Sequence, residues 1–239
     1  MIKELLGLIY PKKCILCRKF LDDMDGRYVC LFCYDKFHAE KEQLLGEDQM
    51  LHEDVCNELD EELDLLEDRP KQIIALFPYT NEYRKSILRW KYRGVRKYAK
   101  GFAELLVTEQ RAFEKVIVDA IIPVPLAPSR MRKRGFNQAL DLAREISKLA
   151  DIPVWNCLKR IKNTKPQAAC SREERYSNTK GSIAFVSAEK YNKDVSCIVL
   201  IDDIYTTGST VRECIKILRE QHAFRNTRIV AVVVGKGDF

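Results

Sequence analysis

The chain has 239 residues, of which 46% are apolar and 32% charged, and a formal net charge of +6. That length can bury a full core without disulfides and suits one sizeable domain plus a small accessory module. The composition excludes disordered, collagen-like and fibrous classes. No apolar run approaches the ~20 residues of a membrane span, and the opening MIKELLGLIYPKKC carries Glu4 within its apolar stretch, so it does not read as a signal peptide. The expected compartment is the cytosol.

Nine cysteines, an odd number without an export signal, point to metal binding or burial rather than a disulfide framework. Cys14, Cys17, Cys30 and Cys33 form a C-x2-C-x12-C-x2-C array. Each pair sets two thiolates on one tight knuckle, and two knuckles complete the four-sulfur shell that zinc accepts. An iron–sulfur centre is the competing occupant. A closed four-cysteine site leaves no position for substrate, so residues 1–39 are expected to be a structural zinc ribbon and catalysis is sought elsewhere.

Residues 40–69 hold 13 Asp/Glu against two Lys/Arg. Leu51, Val55, Leu59, Leu63 and Leu66 recur at helical spacing, which predicts an acidic amphipathic helical connection. Its apolar stripe suits packing against a neighbour, and its acidic face would suit a basic partner or the protein's own basic surface. His52 and Cys56 lie one turn apart, too few ligands for a second metal site.

From residue 70 to 239, apolar strands alternate with amphipathic helices. A strand is expected over 73–77, then a helix through Tyr83, Ile87, Leu88 and Trp90. A buried strand follows over 116–125, a helix over 137–149, a strand over 197–201, a helix over 209–220 and a last strand over 229–234. That alternation predicts an α/β fold with a mostly parallel sheet covered on both faces and right-handed crossovers.

In such a sheet, ligands gather at the carboxyl ends of strands. VLIDDIYTTGST, residues 199–210, places Asp202 and Asp203 at that boundary, followed by Thr206, Thr207, Gly208, Ser209 and Thr210 turning into a helix. Backbone amides and hydroxyls at a helix start form a phosphate cradle. A ribose separates phosphate from acids: its 5'-phosphate enters the cradle and its 2'- and 3'-hydroxyls donate to Asp202 and Asp203. The competing explanation is a capped turn with no ligand.

This stretch resembles the phosphoribosyl-diphosphate motif of type I phosphoribosyltransferases. The wider pattern is similar to the ComF family of competence proteins, of the ComFC type. It comprises the four cysteines, Lys91-Tyr92-Arg93-Gly94, Pro123-Val124-Pro125-Leu126, Arg134-Gly135-Phe136-Asn137-Gln138, Thr164 with Gln167, Arg175 with Asn178, and Asp202 through Thr210. The resemblance implies a phosphoribosyltransferase-like sheet domain behind a zinc ribbon, with Mg2+ bridging the sugar hydroxyls and pyrophosphate. It implies pyrophosphate-holding cations in the 123–134 loop, with Arg130 and Arg134 the leading residues beside Arg132 and Lys133. A mobile, net +5 hood over 159–180 would bring Arg160, Lys165, Gln167, Arg172 and Arg175 toward the leaving group.

Thr206 stands where purine-salvage relatives carry an aspartate base, and threonine is no base near neutral pH. Hypoxanthine and guanine are therefore unexpected acceptors. The resemblance also implies work beside a ComFA-like helicase or ATPase, on transforming single-stranded DNA, with recruitment to the inner face of the membrane. Residues 84–100 carry eight Lys/Arg and no acid, interleaved with Tyr83, Trp90, Tyr92 and Tyr98. They read either as a strand-binding surface or as a solvated helix. Three questions stay open: an active transferase or a non-catalytic DNA-uptake adaptor with a preserved pocket, the acceptor, and whether the chain forms a homodimer.

Overall fold

The computed structural model describes residues 12–21, 28–47, 69–109, 113, 117–162, 179–186 and 195–237. By internal contacts the chain separates into two units, Met1–Leu65 and Leu66–Phe239. In the first, Arg18 N donates to Cys14 O at 3.1 Å and Cys14 N to Lys19 O at 2.8 Å, closing the first cysteine knuckle. Arg18 takes a positive φ of 74° to make that reversal. Lys13 and Phe20 then pair as a short antiparallel bridge.

Helix α1 (Leu31–Glu47) starts directly after Cys30, whose carbonyl accepts from Tyr34 N at 2.9 Å. It runs through residue 40 without a break, so the acidic connection begins inside a helix that the second knuckle nucleates. The apolar stripe of residues 51–66, with His52 and Cys56, lies outside the described residues.

The second unit is built on four parallel strands: β1 (Gln72–Pro78), β2 (Ala120–Pro123), β5 (Cys197–Tyr205) and β6 (Arg228–Lys236), in the order β1-β6-β5-β2. The two central strands read as near-continuous apolar runs because both of their faces are covered, as parallel strands require. Asp119 ties the amino edge together: its Oδ2 accepts from Ser196 N at 2.8 Å and Cys197 N at 2.9 Å. The mostly parallel α/β sheet expected from the strand–helix alternation is therefore present.

Helices α2 (Asn81–Arg93), α3 (Lys97–Glu104, continuing as a π turn Leu105–Glu109), α4 (Pro128–Arg134), α5 (Gln138–Ala150) and α6 (Ser209–Arg219) accompany the sheet. Ile87 and Trp90 of α2 are fully buried, and Trp90 meets Phe102 of α3 edge-on at 5.3 Å. Tyr83 stacks on Phe77 of β1 at 4.2 Å. A two-stranded antiparallel sheet, β3 (Leu158–Arg160) with β4 (Ile183–Phe185), stands apart from the main sheet.

Several expectations change. The strand expected over 116–125 is described only for Ala120–Pro123. The segment after it is not wholly a loop: Pro128 sits in the first turn of α4, where its missing N–H is no loss, and Gly135 ends the helix at φ 76°. The 159–180 segment opens and closes on packed structure, because β3 pairs with β4 and Arg160 and Thr179 are buried. Strand β5 continues four residues beyond Ile201 because β6 pairs with it as far as Tyr205↔Lys236.

Candidate functional site

All four main strands point their carboxyl ends to one edge, and the sequence motifs meet there. Asp202 and Asp203 lie inside the last turns of the β5 ladder, so their backbone is fixed by hydrogen bonds to β6 rather than by a loop. Asp203 N donates to Asp202 Oδ1 at 2.7 Å. Lys91, from the last turn of α2, sets its Nζ 2.8 Å from Asp203 Oδ1, with side chains only 14% and 15% exposed. The α2 terminus suits that ammonium, because helix carbonyls end there. Gly94, at φ 64°, then turns the chain away.

Burial, and after it the neighbouring Asp203 carboxylate, pushes the Asp202 carboxyl up to about 7, while Lys91, the Asp203 amide and Arg160 oppose the shift. The sign for stability follows. The native state keeps a proton on Asp202 that the unfolded chain releases above ~4, so stability falls as pH rises from there to about 7. Asp202→Asn is expected to raise the melting temperature relative to the parent at pH 8 and to leave it level with the parent at pH 4. An equal difference at both pH values would show that the carboxyl ionises normally.

After β5 the chain forms the turn 206–208 and enters α6. Gly208 is the N-cap residue, at φ 68°, and has no side-chain cap. Among the described residues, the amides of Thr207, Gly208 and Ser209 meet no protein acceptor. Thr207 Oγ1 and Ser209 Oγ lie 3.3 Å apart, and Arg212 holds the turn from behind by donating to Thr207 O at 2.7 Å. Thr206 through Thr210 therefore wrap the start of an eleven-residue helix with donors, the arrangement that favours an anion.

Two arginines complete the edge. Burial lowers the pKa of Arg130, and the Arg134 charge adds to that, while Asp203, Tyr92 and Asp202 counter it. Burial likewise lowers that of Arg160, with Arg130 next, while Cys214, Asp202 and Glu213 counter it. Arg130 of α4 and Arg160 of β3 thus share one electrostatic neighbourhood with the acid pair. Arg134 is turned differently: it donates to Gln138 Oε1 at 3.1 Å and stacks over Tyr92 at 4.9 Å.

The RGFNQ motif acts as a bracket. Asn137 caps α5 by accepting from Ala139 N at 3.1 Å, and its Nδ2 donates to Val124 O in the PVPL turn at 3.0 Å. Gln138 Nε2 donates to Lys91 O at 3.4 Å. The motif therefore fixes the PVPL turn and α2 beside β5. Lys91, Asn137, Gln138 and Arg212 are site-building residues to which the sequence reading gave no such role. The signal for the first three was their place in the quoted family motifs.

Of the remaining predicted site residues, Lys165, Gln167, Arg172 and Arg175 lie outside the described residues. Glu213 Oε1 accepts from Gly181 N at 2.5 Å, which ties the end of that segment to α6. The basic stretch 84–100 changes most. Tyr83, Trp90 and Tyr98 are core residues, leaving Tyr92, 61% exposed, as its outward ring. Arg96 Nε pairs with Asp141 Oδ2 at 3.2 Å. A continuous row of stacking rings along this helix is therefore absent, and Lys91 turns to Asp203.

In the first unit, the sulfurs of Cys14, Cys17, Cys30 and Cys33 all lie within 4.8 Å of one another. Cys17 Sγ and Cys30 Sγ are 3.6 Å apart. A tetrahedral zinc with ~2.3 Å bonds sets sulfurs about 3.8 Å apart, so the cluster fits that ion. Bound there, the metal would link the two knuckles and act as a structural node.

The molecule thus pairs a parallel α/β domain, polar and cationic at its carboxyl edge, with a separate four-thiol module. No family model matches the chain. "Competence protein F" of Haemophilus influenzae is 32% identical over 151 residues, covering 62% of this chain and 61% of that protein. "Competence protein ComFC" of Bacillus subtilis is 29% identical over 223 residues, covering 90% of this chain and 82% of that protein. The chain is thus similar to competence proteins of the ComF/ComFC type. Its match spans about three fifths of the Haemophilus relative's length. A solved adenine phosphoribosyltransferase from Leishmania tarentolae is similar at 13% identity and a TM-score of 0.34, covering 63% of this chain and 80% of that one. No helix among the described residues is long and apolar enough to cross a membrane.

Proposed function

We propose that the chain is a competence accessory protein that helps take up or process transforming DNA. On this reading, its pocket at the β5 edge binds a phosphorylated ribose of the 5-phosphoribosyl 1-diphosphate class. The names of its relatives support the first half. The second half is carried by one observation: an amide-lined turn at the start of α6 lies next in the chain to a carboxylate pair, with Arg130 and Arg160 beside that pair. A 5'-phosphate would meet the amides, ring hydroxyls the acids, and a diphosphate the arginines.

The ComFA-like ATPase partner, the single-stranded DNA and the site of action at the inner membrane face belong to the same reading and rest on the resemblance to ComF-type proteins. Structural zinc in the thiol module is supported by the sulfur geometry, four thiols within 4.8 Å of one another. Transfer of the phosphoribosyl group to an acceptor is the second reading. Thr206 gives that reaction no base at the position where purine-salvage enzymes have one, so we favour a binding and regulatory role.

Calorimetric titration with 5-phosphoribosyl 1-diphosphate tests the pocket. The parent is expected to bind, and Asp202→Asn/Asp203→Asn to lose affinity by about tenfold or more, as removal of two carboxyl partners implies. Equal affinity in both would discard the acid pair as the sugar site. Pyrophosphate release with any nitrogen acceptor would establish the transferase instead.

A further inference from the structure

The resemblance implies a divalent ion at the sugar end of the pocket, and the residues present do not fit one. Mg2+ demands near-octahedral oxygen coordination and gives up its waters reluctantly. Here one oxygen of Asp203 is held by the Lys91 ammonium at 2.8 Å, and one oxygen of Asp202 accepts the Asp203 amide at 2.7 Å. Arg130 feels both carboxylates, and Arg160 feels that of Asp202. Three protein cations therefore already face two acids. A dication would have to displace the ammonium and then sit among the remaining positive charges, which a site of low exposure penalises strongly.

The ammonium is also a built part of the fold rather than a passing surface contact. Trp90, directly before Lys91, and Ile87, one turn earlier, are fully buried, which fixes the rotation of α2. Gln138 holds the Lys91 carbonyl, and Gly94 ends the helix at φ 64°. An exposed lysine pays heavily in side-chain entropy to hold one position, whereas here the helix, the bracket from α5 and the carboxylate all converge on it.

We propose that Lys91 is the resident cation of this pocket: it holds the Asp203 carboxylate oriented toward a ribose hydroxyl, so a ribose 5-phosphate-class ligand binds without divalent metal. This rests on the pocket reading given above. Lys91 is a positioning residue, acting through Asp203, and the sugar and its 5'-phosphate are the parts of the ligand it serves.

Ribose 5-phosphate is the suitable probe, because it carries the sugar and the 5'-phosphate but no pyrophosphate to recruit magnesium by itself. The full chain is titrated calorimetrically in EDTA and in magnesium, as the parent, Lys91→Met and Lys91→Arg, with thermal melts recorded for each. The parent is expected to bind equally in both buffers. Lys91→Met is expected to weaken binding by about tenfold or more in EDTA, the loss of one charge-assisted interaction, and to regain most of it when magnesium can enter the vacated place. Lys91→Arg is expected to stay near the parent.

Binding by the parent only in magnesium would overturn the inference while leaving the pocket intact. Lys91→Met binding like the parent in EDTA would overturn it too. Absence of binding in either buffer would remove both the pocket and the inference. Should Lys91→Met fail to fold, the parent's two buffers and the arginine variant still decide.

Discussion

Cys33→Ser, or chelation of the metal from the parent, is expected to abolish native structure in the first unit and leave the second unit's melting transition in place. The described part of that unit buries only Ile15, Leu16, Val29 and Phe37 beside its cysteines, too small a core to hold a fold of this size unaided. What joins the two knuckles is the sulfur cluster, spanning no more than 4.8 Å. Structural zinc contributes roughly 10–16 kcal/mol of apparent binding energy in finger peptides, and that energy is folding energy. The parent should therefore carry about one zinc per chain, as a closed four-thiolate site holds one ion.

Hydrogen exchange over residues 12–21 and 28–40, measured beside elemental zinc content, is the check. Amides such as Cys14 N and Arg18 N, which close the first knuckle, should exchange at unfolded rates once the metal is gone. Protection that persists in a zinc-free protein would mean the thiols are simply core residues. Exchange that rises equally in 69–109 would mean that the two units do not fold separately.

The contrast between the two units also explains what a reader of the sequence can see. Four cysteines at fixed spacing announce their shared chemistry, because ligand geometry leaves few other uses for that pattern. Strands β1, β5 and β6 and helices α2, α5 and α6 were legible for a similar reason: each buries a long apolar run or stripe, and Asn137 marks the start of α5 as a cap. The three-residue strands β3 and β4 carry too few positions to show a period, and only their mutual pairing makes them strands. α4 is seven residues, almost all polar, and its only marks are Pro128 and Gly135 at its ends.

The role of Lys91 was hidden differently. Eight cations between residues 84 and 100 look equivalent in one dimension. Burial of Ile87 and Trp90 sets the face of α2, and the parallel order β1-β6-β5-β2 brings the acid pair of a strand more than a hundred residues later to the end of that helix. Nothing local to either segment encodes that meeting.

Gly208→Ala is expected to destabilise the second unit and to abolish ligand binding in the pocket. Two independent costs act at this position. A left-handed φ of 68° costs a residue with a Cβ roughly 1–2 kcal/mol. The added Cβ would also overlap the Tyr205 ring, whose Cζ lies 2.5 Å from where it must go. Tyr205 is buried and its backbone is locked to Lys236, so the ring has little room to retreat. The turn must yield instead, and with it the amides of Thr207 to Ser209. Together the two effects should exceed about 2 kcal/mol, more than an ordinary surface substitution.

A double-mutant cycle separates the two costs. Tyr205→Leu removes the ring overlap but leaves the backbone strain, so Gly208→Ala/Tyr205→Leu is expected to be less destabilised than the sum of its single variants. Thermal melts of the four proteins supply the coupling, and titration with ribose 5-phosphate reports whether the turn recovers its shape. Additive losses would remove the ring from the account and leave the φ requirement alone. A Gly208→Ala protein that melts and binds like the parent would show that the turn tolerates a side chain, and the amide cradle could no longer rest on glycine at this position.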